Sequence, residues 1–216
     1  MEVINARINN EFCQSTVDAL NDKALIEDYK NCKSVKNRII KLEEVLHNNN
    51  IENNVAEKII KDYLLELIPA GTKGAIRGNK FNTIVRKIIE GLNLSSEKFE
   101  IGFESHPKIN PSTDEIPDWY VLEKLTGKII IGMNQLDFFS GGHQLNRGYK
   151  YLVDNKHNTK NSKLLCVVCN KINFKSNRTK SYKLFSIGFE NNTLCYVKNI
   201  NNIIMEYFKS ASLKHD

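Results

Sequence analysis

No stretch of this chain approaches the roughly 18 consecutive apolar residues that a membrane-spanning helix needs, so a soluble protein without a membrane partner is expected. Its start, MEVINARINNEF, lacks the basic start and apolar middle of a secretion signal. A cytoplasmic, reducing location follows as the expectation, and disulfides among the five cysteines do not. The one close cysteine pair, Cys166 and Cys169 in KLLCVVCNK, has CxxC spacing but no second pair nearby, and a structural zinc site needs about four ligands. These two read as buried strand cysteines. Internal repeats and long low-complexity tails are also missing, which leaves only a bias toward asparagine and lysine.

The 216 residues suffice for one substantial α/β core with a helical extension and are short for two independent domains. A hydrophobic fraction of 41% with 26% charged residues is ordinary for a globular chain. The net charge of +6 leans toward a polyanionic partner without requiring one.

Apolar residues recur at helical spacing through Val17, Leu20, Leu25 and Ile26, again through Ile39 to Leu46, and in VAEKIIKDYLLELI, with the asparagine-rich HNNNIENN as a loop. Residues 1–70 are therefore expected to form a helical extension that ends at Pro69 and Gly71, and residues 71–216 the core, continuous with it as one domain.

GTKGAIRGNK then reads as a glycine-rich basic loop before a helix carrying Phe81, Ile84, Val85, Ile88 and Ile89. Its exposed amides with Lys73, Arg77 and Lys80 suit backbone phosphates, and a solvated loop explains the same residues equally well. The spacing of a P-loop is absent.

Strands are expected at 98–104, 119–124, 128–134 and 163–171, and two more around YKLFSIGF and TLCYVK, with a crossover helix near 143–153 and a closing helix in INNIIMEYFKSA. A meander followed by a long crossover implies a parallel join within a mixed sheet. The fold class expected is α/β, with a helical region at the amino terminus.

WYVLEK and KIIIGMN flank the turn LTG. The simplest hairpin pairs Glu123 with Ile129 and Asp118 with Asn134, and puts Trp119, Val121, Ile131 and Met133 on the opposite face. A carboxylate at the open end of such a hairpin can reach a divalent cation.

PDWYVLEKLTGKIIIGMN resembles the core of the PD-(D/E)xK nuclease superfamily, which includes many type II restriction endonucleases. Pro117 and Asp118 match the first half of the motif, and alignment puts Gly132, Met133 and Asn134 where the family has an acid, any residue and lysine. The family relocates its second acid and accepts glutamine or asparagine for lysine. The resemblance implies a restriction endonuclease-like mixed sheet flanked by helices, with Asp118 on Mg2+ and Gln135 or Asn134 positioning the attacking water.

Two sources for the second carboxylate remain open. A bulge at Gly132, the reading favoured here, would shift the register by one and bring Gln135 and Asp137 to the face of Asp118. Alternatively, Glu104 at the end of the preceding strand would supply a metal ligand. Each of these carboxylates also fits a solvated loop.

FFSGGHQLNRGYKYL introduces a helix with Gln144, Asn146, Arg147 and Lys150. The resemblance implies that it is the helix after the catalytic hairpin, where Arg147 and Lys150 would meet phosphate oxygens. His143 at its start reads as an exposed histidine. Lys175, Arg178 and Lys180 in NFKSNRTKSYK would reach a DNA groove from a hairpin tip, or simply be solvated.

The function implied is that of a Mg2+-dependent type II restriction endonuclease acting on double-stranded DNA, with a homodimer matching a palindromic site. A companion DNA methyltransferase would be encoded next to it. The alternatives are a nuclease-fold DNA-binding module without chemistry and a repair or recombination nuclease of the same superfamily.

Overall fold

The structure, a computed structural model, describes residues 1–107, 115–139, 141–154 and 158–212. The chain divides into two compact units, one of residues 1–16 with 81–216 and the other of Val17–Lys80. The division falls inside a helix ten residues beyond Gly71, and the first sixteen residues group with the sheet.

In the smaller unit, α2 (Gln14–Ala19) enters from the sheet unit, followed by α3 (Ile26–Asn31), α4 (Lys33–Asn48), α5 (Asn53–Asp62) and α6 (Leu64–Leu67). Their core is Leu25, Tyr29, Val35, Leu64 and Ile68. The expected glycine-rich loop is instead the beginning of α7 (Ala70–Glu90), with Pro69 just before its first turn. Proline is tolerated there because the amides of a first helical turn have no intrahelical partner. A Cβ at Gly71, Gly74 or Gly78 would meet nothing within 4 Å, so these glycines mark no close backbone approach.

The larger unit begins with α1 (Glu2–Glu11) and resumes within α7 at Phe81, which is buried with Val85 and Ile89 at helical spacing. Five strands follow: β1 (Phe99–Phe103), β2 (Trp119–Glu123), β3 (Ile129–Gln135), β4 (Ser162–Val168) and β5 (Leu194–Tyr196). The sheet order is β1-β2-β3-β4-β5, antiparallel through β3 and parallel from β3 to β5. The fold is thus α/β, a five-stranded mixed sheet flanked by helices.

The crossover from β3 to β4 is α8 (Gly142–Gly148), running into a π-helical turn (Tyr149–Val153). From β4 to β5 it is α9 (Lys180–Glu190), and α10 (Ile200–Ser212) closes the chain. YKLFSIGF is therefore helical, not a strand: Leu184, Phe185, Gly188 and Phe189 are buried at intervals of one and four, and the Thr179 side chain caps α9 by accepting from the Tyr182 amide. The expected hairpin tip around Arg178 is the lead into that helix.

One core face gathers Met133, Leu164, Cys166, Phe185, Leu194 and Tyr196. Residues 1–16 join this unit because Glu11, buried on α1, accepts from Arg7, from Asn199 and from the Tyr196 amide.

Candidate functional site

The β2–β3 hairpin is shifted by one residue from the simplest pairing. Leu122 opposes Ile129 and Trp119 opposes Gly132, so the pairs of Glu123 with Ile129 and Asp118 with Asn134 do not form. Tyr120, Leu122, Ile129 and Ile131 cluster on one face, which corrects the expected grouping of Ile131 with Trp119. The turn sets this register: Gly127 adopts a φ of +68°, its amide donates to the Glu123 carbonyl, and the Glu123 amide donates to the Lys128 carbonyl.

Gly132 is not a bulge. Seven consecutive pairs from Ile129↔Ser162 to Gln135↔Val168 run through it without a skipped residue. What requires glycine is the Trp119 indole, since a Cβ at 132 would lie 1.8 Å from its Cε2. The bulge reading therefore fails, and the hydrogen bonds of the Asp118 carboxylate go to Asn82 and Asn134, with none to Gln135 or Asp137. Asp137 is buried elsewhere, where it accepts from the Phe139 amide and from Asn170 Nδ2, both at 3.4 Å. Gln135 opposes Val168 at the end of β3.

Asp118 and Asn134 nevertheless meet, because Asp118 stands at a bend one residue before β2 and its carboxylate turns along β3. The Asn134 amide donates to Asp118 Oδ2 at 2.6 Å, and Asn82 Nδ2 donates to Oδ1 at 3.0 Å. Asn134 Nδ2 in turn donates to Asn82 Oδ1 at 3.0 Å, and Trp119 Nε1 donates to Asn134 Oδ1 at 3.1 Å. Asn82 and the Trp119 indole escaped the sequence reading. Asn82 lies in KFNTIVRKII, beside the buried Phe81, where no motif distinguishes it.

Burial pushes the Asp118 carboxyl above its ordinary range, the donors Asn134 and Asn82 pull it back, the negative charge of Glu104 raises it and the positive charge of Arg147 lowers it. Glu104 is exposed, and its amide donates to the Asp118 carbonyl at 3.0 Å. It has a φ of +47°, and the other non-glycine residues with positive φ among the described residues, Asn50, Asn93 and Asn192, are of the type that tolerates it. A glutamate there stores strain of about 1–3 kcal/mol, a cost that backbones bear mostly at functional positions.

Arg147, on α8, is exposed, and its charge is felt at both Asp118 and Glu115. Lys150 is engaged: its Nζ donates to Glu115 Oε1 at 2.8 Å, and the Tyr151 hydroxyl donates to Oε2. This clasp holds the chain three residues before Asp118 onto the π-helical turn, and the Lys150 bond leads the effects that keep the Glu115 carboxyl below its usual range. Gln144 is half-buried and Asn146 exposed on α8.

In the smaller unit, the basic residues of α7 face its own carboxylates. Arg77 Nη2 lies 2.6 Å from Asp22 Oδ1, Lys73 Nζ 3.8 Å from Asp22 Oδ2, and Lys80 Nζ 3.9 Å from Asp28. Arg178 is exposed before α9.

No group of three or more His, Cys, Asp or Glu side chains fit to hold a metal occurs among the described residues. A hexahydrated-type ion such as Mg2+ asks for less, since it is commonly held by one or two carboxylates, the remainder being water and substrate phosphate. Asp118 and Glu104 are two carboxylates whose charges act on each other here. A carboxylate offers about four lone-pair sites, so the single donor on each Asp118 oxygen leaves room for a cation.

No family model, curated protein or solved structure matches the chain. No helix among the described residues is long and apolar enough to cross a membrane.

Proposed function

We propose that this protein is a Mg2+-dependent endonuclease of the type II restriction kind, hydrolysing phosphodiester bonds of double-stranded DNA at a short sequence from a restriction endonuclease-like core. The observation that carries this reading is the position of Asp118. It is a half-buried carboxylate at the open end of the antiparallel hairpin, held by two N–H donors, with the charges of Glu104 and Arg147 acting on it. The succession of α7, the three-strand meander, α8 and the parallel β4 supports it as well.

In this reading Asp118 and Glu104 hold the cation, which supplies polarisation of the scissile phosphate and acidification of a bound water. Arg147, exposed beside the cluster, meets phosphate oxygens. Lys150 keeps the approach to Asp118 in place through Glu115. Asn134 spends its side-chain oxygen on Trp119 and one N–H on Asn82, which suits it to orienting Asp118 more than to replacing a mobile lysine. A homodimer reading a palindromic site and a neighbouring DNA methyltransferase belong to the same proposal.

A second reading, a DNA-binding module that keeps the fold and lacks the chemistry, draws support from Trp119. Its indole fills the space that a side chain at 132, the motif's acidic position, would occupy. Purified protein with unmethylated plasmid and Mg2+ separates the two. Discrete fragments support the restriction reading, and random shortening indicates a repair-type nuclease. Metal-dependent retardation without cutting leaves the binding module.

A further inference from the structure

We propose that Asn82 is the positioning residue of this site, the one side chain that locks Asp118 and Asn134 into a single arrangement. The inference rests on the nuclease reading for its consequence in catalysis, and on geometry alone for the lock itself.

Three residues form a closed ring, two of its bonds from side-chain amides and one from the backbone N–H of Asn134. Asn82 Nδ2 donates to Asp118 Oδ1 at 3.0 Å, Asn134 Nδ2 donates to Asn82 Oδ1 at 3.0 Å, and the Asn134 amide returns to Asp118 Oδ2 at 2.6 Å. Trp119 Nε1 holds the remaining side-chain oxygen of Asn134 at 3.1 Å. Both oxygens of Asp118 are thereby pinned, so the plane of the carboxylate is set by its neighbours and not by its own rotamer freedom.

Asn82 is suited to this because one amide group both donates and accepts. Leucine matches its size and does neither. Aspartate keeps the acceptor for Asn134 and loses the donor for Asp118. The ring also joins elements far apart in sequence: Asn82 stands on α7, Asp118 before β2 and Asn134 on β3, within one compact unit. The buried Phe81, Val85 and Ile89 seat α7 independently of the ring, so removing the amide should leave the helix in place.

The test uses the full chain with Asn82→Leu and Asn82→Asp. Thermal unfolding and far-UV dichroism first establish that each variant is folded. Hydrogen exchange of the Trp119 indole N–H and the Asn134 amide, read by NMR without metal or DNA, then reports the ring. Asn82→Leu should accelerate exchange at the indole about tenfold or more, whereas Asn82→Asp should keep the indole protected because its acceptor for Asn134 survives. Unchanged exchange in Asn82→Leu overturns the lock.

For catalysis, both variants should lower kcat by about 10- to 100-fold, the usual effect of losing a group that orients a ligand, with KM changed less than about threefold. Cleavage by Asn82→Asp at the wild-type rate overturns the positioning role. A wild-type protein that does not cut with Mg2+ overturns the nuclease reading instead, and the exchange measurement still decides the lock. Should either variant prove unfolded, Asn82→Ala, which removes both functions of the amide, replaces it. Wild-type exchange and rate in Asn82→Ala would overturn the proposal.

Discussion

The Trp119 indole lies directly across Gly132 on the neighbouring strand, with Cε2 only 1.8 Å from where a Cβ would stand. The indole is 1% exposed and bonded to Asn134, so it cannot swing away without breaking that bond. Gly132→Ala should therefore destabilise the protein by about 1–3 kcal/mol through overpacking. Urea denaturation checks this. Combining Gly132→Ala with Trp119→Phe should recover part of the loss, since the two residues share one space.

Asp118→Asn should abolish cleavage and leave DNA affinity within a few fold, because it removes a ligand charge and keeps the shape. Plasmid digestion beside a gel-shift titration reads both, and retained cleavage would reject the site.

The raised carboxyl of Asp118 also makes a pH prediction with a definite sign. In the window above its ordinary value of 3.8 and below the raised folded value, the folded chain holds more protons than the unfolded one. Asp118 therefore lowers stability progressively as pH rises through that window. Melting curves from pH 3 upward should show a smaller decline, or a larger rise, with pH in Asp118→Asn than in the wild type.

Glu115 behaves in the opposite sense. Its carboxyl lies below the ordinary value of 4.5, so the Lys150 and Tyr151 clasp contributes stability above that pH and loses it as pH falls through the depressed folded value. Glu115→Gln should thus flatten the acid limb of the melting profile. A wild-type acid limb in that variant would mean the clasp adds nothing to stability.

DNA affinity should depend on Arg147 more than on the basic residues of α7. Arg147→Ala should reduce the slope of log affinity against log salt by about one, the effect of losing one phosphate contact. Lys73, Arg77 and Lys80 already face Asp22 and Asp28. Arg77→Ala should chiefly cost stability, about 1 kcal/mol for a partly exposed pair. A larger loss of salt slope from Arg77→Ala than from Arg147→Ala would reverse this order.

Periodicity and turn chemistry alone determined the helices of the first seventy residues, the β1–β3 meander, the crossover helix and the parallel β4. Each rests on apolar spacing within one segment, which is local. YKLFSIGF escaped because its aromatic and β-branched residues suit a strand, while the Thr179 cap and burial at intervals of four made it a helix. GTKGAIRGNK escaped because three glycines weaken a helix without forbidding it, and ion pairs to Asp22 and Asp28 hold it. Asp118 was legible as a candidate from its PD context and strand position. Only the tertiary structure decided its company: a bend at Asp118 turned its carboxylate to the backbone amide of Asn134, the Trp119 indole explained Gly132, and Asn82 came from a helix 36 residues earlier in the chain. Hydrogen bonds between distant segments depend on how elements pack, and no local pattern in the chain encodes which two side chains will share a proton.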